Sequence, residues 1–461
     1  MNLFTIAWKS IRQRGLASSL TALSVALGVM LMVVVLVISG ALRAVFSQNT
    51  IAYDLIVGPK GSGLQLVLSA VYRVQPAIEN LPYLYYLELK EDRRVVSAVP
   101  MAFGDVTEQG SFPLVGTTPE YFENEYAPGR TFRIRGKRIN ANFDAIIGSE
   151  VARSNGWDIG SQFKIVHGGA DGTHIHDEQF TVVSVIQQTG TPNDRTVFVN
   201  IEGFYAIEGH ETPLNEVEER LKKFYASSPD RLKIALDQIA EARTLEEAES
   251  ASGHGGHHHH ATPDAAKEVT AVLIRTRPKS PFDAINLSSD LQQGYQAMAV
   301  NPIVPIRKLM TDVLGNVQQG LLVLTVMIIL VSGISIFVSI YTSMTDRRRE
   351  IGIMRALGAR RGSVFGIVLA ESVVLCVGGG LLGWLSGHGI AVVASPFVTA
   401  ETGLLLDPWV VYWMKFAVFN FEVELPVESV LFPMLLALAT LVGFLPAMTA
   451  YRTDVADALS S

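Results

Sequence analysis

The chain has 461 residues, of which 49% are hydrophobic and only 18% charged, with a mean hydropathy of +0.29. Soluble domains carry about 25% charged residues, so these values argue against a wholly soluble enzyme or a disordered chain, and so modest a hydropathy argues against a chain that is membrane throughout. The net charge of −7 gives no sign of nucleic-acid binding, and the single cysteine, Cys376, excludes a disulfide framework.

Residues 1–19 are basic through Lys9, Arg12 and Arg14. Leu16 to Phe46 is apolar with Arg43 as its only charge, and Leu20 to Gly40 already supplies the roughly 20 residues that cross a bilayer. The run is about twice the length of a signal-peptide core, which predicts a retained helix over 20–46. Further spans are predicted at 320–344, 364–393 and 430–450. Lysine and arginine placement orients them. Three basic residues and no acid precede Gly15, and the 345–363 loop holds six arginines against Asp346 and Glu350. Both termini, including the 451–461 tail, and this loop are therefore expected on the cytoplasmic side. In the 394–429 loop, Lys415 stands alone beside Glu401, Asp407, Glu422, Glu424 and Glu428. Leu404 to Phe419 is aromatic but interrupted by Asp407, Pro408 and Lys415, and reads as an interfacial or re-entrant helix.

The expectation is thus a four-span α-helical membrane protein with a large mixed α/β extracytoplasmic domain, 47–319, between spans one and two. Strand-like runs occur at Arg94–Val99, Phe112–Val115, Phe143–Ile147, Gln162–Val166, Phe180–Ile186, Thr196–Asn200 and Glu268–Arg277. Short helices fit Pro119–Asn124, Glu150–Asn155 and Ile201–Ile207, the last with Asn200 as N-cap. Gly58 to Gly63 is glycine-rich but lacks the order of a phosphate-binding loop, and reads as a turn or flexible connection. An insertion at about 208–266 combines a charged, helix-favouring stretch, Leu214–Glu249, with a Gly/His tract expected to be a loop.

The most specific motif is the arginine loop. Ile351, Met354 and Leu357 recur at i, i+3 and i+6 on a short basic helix, and Gly358 stands where a C′ glycine stops one. Flanking charge alone accounts for the arginines; a partner-docking helix also accounts for the apolar stripe and its stop. Glu371, about two turns inside span three, is an intramembrane carboxylate. His388 reads as a packing or interfacial residue.

Arg349-Glu-Ile-Gly-Ile-Met-Arg355-Ala-Leu-Gly358, then Glu371, then Gly378-Gly-Gly-Leu-Leu-Gly383, resembles the permease family of MacB, FtsX and LolC/LolE. Ala7-Trp-Lys-Ser-Ile-Arg12 and Ala450-Tyr-Arg452-Thr-Asp454 fit the same pattern at the two ends. Val115–Phe122 and Ile147–Ala152 look like the family's periplasmic core domain. The resemblance implies the bacterial inner membrane and a membrane subunit that is not itself an enzyme, consistent with the lack of a G-x-x-x-x-G-K-[ST] run. ATP and magnesium would sit on a separate cytoplasmic ABC ATPase, two permease copies or a permease and a paralogue would pair, and a periplasmic or outer-membrane partner would complete the assembly. Arg347, Arg349, Glu350, Ile351, Met354, Arg355, Leu357 and Gly358 would form the ATPase-coupling helix, with span two continuing as a stalk. Glu371 would serve a structural or coupling role.

Nine of ten histidines lie in the outer segment. His167, His174, His176 and Asp177 share one loop, and His254, His257, His258, His259 and His260 share the Gly-rich tract. Imidazole and carboxylate at this density are candidate ligands for zinc or another divalent metal. Three functions follow. The first is export or extracytoplasmic handling of a lipoprotein, peptide, small molecule or metal-related cargo by mechanotransmission. The second is FtsX-like signalling to a cell-wall hydrolase, and the third a metal-responsive system.

Overall fold

In the computed structural model the described residues are 3–13, 15–45, 51–77, 79–167, 175–207, 212–251, 262–278, 280–294, 296–346, 348–402, 409, 413–418 and 421–452. The chain divides into a helical unit (residues 1–44, 311–397 and 406–461) and an α/β unit (residues 45–310 with 398–405).

The α/β unit is organised by an eleven-stranded mixed sheet. Its strands are β1 (Leu55–Pro59), β2 (Val95–Thr107), β3 (Pro113–Thr117), β4 (Ile134–Gly136), β5 (Asp144–Ile147), β6 (Gln162–Phe163), β7 (Ile165–His167), β8 (Phe180–Ile186), β9 (Val197–Asn200), β10 (Ala271–Thr276) and β11 (Ala297–Val300). They run in the order β11-β1-β10-β2-β3-β9-β5-β8-β4, with β7 on β2 and β6 on β8. The pairs β9–β3 and β8–β5 are parallel and the rest antiparallel. Both faces of the central strands are covered, so these strands read as continuous apolar runs rather than alternating ones. Leu114, Ala145, Ile147, Val197, Val199, Val272 and Ile274 point into one core. Their neighbours Val115, Ile146, Phe198 and Leu273 point into the other, as the two-residue strand period requires.

All seven predicted strand runs contain strand, and the three short helices appear as Glu120–Glu123, Ser149–Asn155 and Ile201–Tyr205. Asn200 precedes the last of these without a capping side-chain bond. Residues 58–63 divide between two elements. Gly58 and Pro59 end β1, and Ser62 caps the helix Gly63–Ala70 by accepting from the Gln65 N–H at 3.3 Å. A side chain at Gly58 would collide with Leu66, which explains a glycine within an otherwise branched strand.

The helical part of the insertion belongs to the core. Leu214–Phe224 buries Leu214, Val217, Leu221 and Phe224. Phe224 meets Tyr85 edge-on with ring centroids 5.1 Å apart. The Tyr225 hydroxyl donates to Glu88 at 3.1 Å, and Arg231 pairs with the same carboxylate. Phe224→Ala is expected to cost about 3–5 kcal/mol, the range for emptying a buried aromatic site. A calorimetric melt of the purified chain would measure it.

Among the described residues, four helices are long and apolar enough to cross a membrane: Ser18–Ala41, Ile303–Thr342, Arg361–Thr399 and Leu431–Arg452. The second contains a π-helical turn, Met310–Leu314, between Ile303–Leu309 and Gly315–Asp346. The helices meet in one apolar cluster that includes Val25, Val29, Val33, Ile336, Ile340, Val368, Leu435 and Ala439. Ser24 and Ser332 hydrogen-bond at 3.1 Å between the first and second spans. Small residues let the third span approach the first. A Cβ at Gly379 would sit 2.7 Å from the Ala22 carbonyl oxygen, and one at Gly383 would overlap the Ala26 carbonyl oxygen and lie 2.8 Å from Val29 Cβ.

Of the segment expected to be an interfacial or re-entrant helix, Leu404–Phe419, residues 413–418 form a strand instead. Trp413–Val418 pairs antiparallel with Phe421–Pro426. Alternating aromatic, branched and charged residues suit a pleated ribbon better than a helix.

Candidate functional site

The arginine loop folds as the helix Arg348–Ala356, between the span helices Gly315–Asp346 and Arg361–Thr402. Its end is a Schellman motif. Gly358 has φ +100, its N–H donates to the Arg355 carbonyl at 3.0 Å, and the Ala359 N–H donates to the Met354 carbonyl at 3.0 Å. A left-handed C′ position favours glycine.

The structure separates the three stripe residues. Ile351 is buried in the span cluster and Met354 packs against it. Leu357 closes the last turn, its N–H donating to the Ile353 carbonyl at 3.0 Å, and is 83% exposed. One end of the stripe thus anchors the helix, and the other stands in the open with Ile353, which is 46% exposed. Arg349 is exposed and Arg355 half-buried. Arg347 lies outside the described residues, as does the side chain of Glu350. Arg361 stacks over the Tyr451 ring at 5.9 Å, holding the start of the third span against the end of the fourth.

Glu371 is buried within the third span. The adjoining Ser372 hydroxyl donates to the Leu369 carbonyl at 2.8 Å, and Gly443 of the fourth span approaches that hydroxyl closely.

A further polar cluster lies in the same unit. His388 is buried, 3.3 Å from Glu428, and stacked on Trp409 with centroids 4.7 Å apart. The Trp384 indole N–H donates to the same Glu428 oxygen at 3.2 Å. The sequence reading of His388 as a packing or interfacial residue did not include its carboxylate partner. Trp384 and His388 at i and i+4 put both on one helix face, but no local pattern linked them to Glu428, forty residues on.

The histidine loop is only partly described. His167 ends β7 opposite Asp105. His176 is buried, and its backbone N–H donates to the Ile165 carbonyl at 3.1 Å. Asp177 is exposed and pairs with Lys164 at 3.1 Å. His174, His254 and His257 to His260 lie outside the described residues. Among the described residues, no three histidine, cysteine or acidic side chains are placed to hold a metal ion.

Four apolar helices with an α/β domain carried between the first and the later ones define a polytopic membrane protein with one large inserted domain. A model for the MacB-like periplasmic core domain matches residues 18–247, and one for the FtsX-like permease C-terminal domain matches 322–455. The chain belongs to this family of ABC transporter permeases. It is 28% identical over 195 residues to the macrolide export ATP-binding/permease protein MacB of Rhodopirellula baltica, covering 42% of this chain and 24% of that protein. It is 30% identical over 190 residues to the ABC transporter permease YknZ of Bacillus subtilis, covering 40% of this chain and 41% of YknZ. These matched stretches thus span well under half of either relative. The crystal structure of the periplasmic region of MacB from Actinobacillus actinomycetemcomitans aligns with 57% of this chain and 95% of its own, at 11% identity and a TM-score of 0.31.

Proposed function

We propose that this chain is the membrane subunit of an ABC system in the bacterial inner membrane. It would relay the ATP-driven motion of a separate cytoplasmic ATPase to its own extracytoplasmic α/β domain, for export or handling of a cargo outside the membrane. The observation that carries this reading is the division of labour on the Arg348–Ala356 helix. Ile351 is bound into the span cluster while Leu357, the residue just before a glycine-fixed stop, projects outward. A helix anchored at one end and exposed at the other transmits force if a partner grips the exposed end. Arginines beside it supply charge complementarity for steering that partner.

Site-directed crosslinking tests this. The one native cysteine, Cys376, is buried, so Leu357→Cys introduces a single reactive thiol. A thiol-reactive photo-crosslinker attached to Leu357→Cys, whose photoactivated end inserts into any neighbouring C–H or N–H bond, is expected to join it to the cognate ATPase in membranes, with a yield that changes when ATP is added. A cysteine at Ile159, 45% exposed on the α/β unit, should give no such product. Equal crosslinking from both positions, or none from Leu357→Cys, would overturn the assignment.

A further inference from the structure

A pocket of about 330 Å³ opens at the β4 end of the eleven-stranded sheet. Its floor and walls include Phe122, Phe132, Ile134, Ile139 and Ile146, and its rim carries Glu123, Lys137 and Arg138. The sequence builds it from short pieces. Ile146 of β5 and Ile139 are buried in the core. Ile134 of β4 packs against the same core, and Gly136 ends that strand with φ +132, so that residues 137–139 turn to line the same space. Phe122, from the helix Glu120–Glu123, meets Phe132 edge-on with ring centroids 5.5 Å apart.

Size and exposure argue against a packing defect. Native cores hold few voids larger than a water molecule, whereas small-molecule pockets begin at about 300 Å³. Phe122, Phe132 and Ile134 are only half-buried and line the open space, so a guest can touch them. Removing that apolar surface from water is the force that would hold one.

The rim sets the sign of the guest. Lys137 and Arg138 are both exposed. Arg138 pairs with Glu123 at 3.2 Å. Among the described residues no acid pairs with Lys137, so the rim of two cations and one carboxylate keeps one uncompensated positive charge. The neighbouring sequence extends the bias. Arg130, Arg133, Arg135, Lys137 and Arg138 crowd residues 130–138, in a chain whose net charge is −7. An apolar pocket with a cationic lip matches an apolar body that ends in one negative charge.

We propose that this pocket binds a small amphiphilic monoanion, its apolar body against Phe122, Phe132 and Ile134 and its charge at Lys137. A cationic guest would meet Lys137 and Arg138 head-on, and an uncharged one would leave the rim unused. The assignment does not depend on the coupling role above, since the pocket lies wholly within the α/β unit.

The test uses the full chain in lipid nanodiscs and a photoreactive probe, a trifluoromethyl-diazirine benzoate, beside the matching benzyl alcohol and benzylamine. Insertion sites are read by peptide mass spectrometry, which separates labelling in the pocket from labelling of the spans by probe dissolved in lipid. The benzoate should label the peptides that carry Phe122, Phe132 and Ile134, and excess hexanoate should suppress that labelling. At low salt the alcohol should label them about threefold less, and the amine less still. High salt should remove the difference between benzoate and alcohol, because the rim charge is exposed to solvent. Lys137→Gln leaves the walls intact and should bring benzoate labelling down to the level of the alcohol. Ile134→Trp should fill the pocket and abolish labelling by all three probes; a thermal melt matching the parent shows that it folds, and if it does not fold, Lys137→Gln decides. The proposal fails if the benzoate labels these peptides no more than the alcohol or the amine, if hexanoate does not compete, or if Lys137→Gln labels like the parent chain.

Discussion

Gly383→Val is expected to loosen the bundle of spans, lowering the melting temperature of the detergent-solubilised chain far more than any exposed substitution. At Gly383 a Cβ has nowhere to go: it would overlap the Ala26 carbonyl oxygen of the first span and crowd Val29. Relief requires two helix backbones to move apart, because no flexible side-chain end is available to yield. Overpacking in a well-filled site costs about 1–3 kcal/mol, and valine, with two further carbons, should sit at or above the top of that range. Separation of the first and third spans would also strain the cluster that includes Val25, Val29, Cys376 and Ile351. Gly389→Ala is the matched control. It lies on the same helix with open space around its Cβ position, and alanine has the better helix propensity by about 1 kcal/mol. It should therefore melt at or above the parent temperature. If Gly383→Val melts with Gly389→Ala, the close approach of these two helices is wrong.

Some of this architecture was legible in the residues and some was not, for identifiable reasons. The spans announce themselves because twenty consecutive apolar residues have few other uses. Strand β8, Phe180–Ile186, was readable from its regular alternation of buried and half-buried positions. Strand β1 was not, because Gly58 and Pro59 look like a turn until β10 and β11 are seen pairing with it on either side. The helix Tyr83–Glu91 escaped because its aromatic residues suggest a strand, and it is the core cluster around Tyr85 and Tyr86 that decides. Within the arginine helix, periodicity put Ile351, Met354 and Leu357 on one face. It could not show that the span cluster takes the first two and leaves the third outside.

That separation on the arginine helix yields the second large expected effect. Leu357→Asp should abolish most stimulation of the partner ATPase while leaving the chain folded and inserted. An 83% exposed residue contributes little to folding, and substitutions at such positions are usually within about 0.5 kcal/mol. At a contact that excludes water, replacing an apolar anchor by a carboxylate typically costs about 2 kcal/mol or more, a loss of roughly thirtyfold in association. Ile351→Asp should behave differently. Ile351 is 4% exposed inside the cluster, and an unpaired charge there destabilises the fold itself, so melting temperature and ATPase stimulation should fall together. Gly358→Ala lies between them. With φ +100 it has no room in conformational space for a Cβ. It should unravel the Schellman stop, displace Leu357 and weaken stimulation with only a modest drop in melting temperature. Measuring both quantities for all three variants separates docking from stability. Full stimulation by Leu357→Asp would place the ATPase contact elsewhere on the chain, whatever the other two variants do.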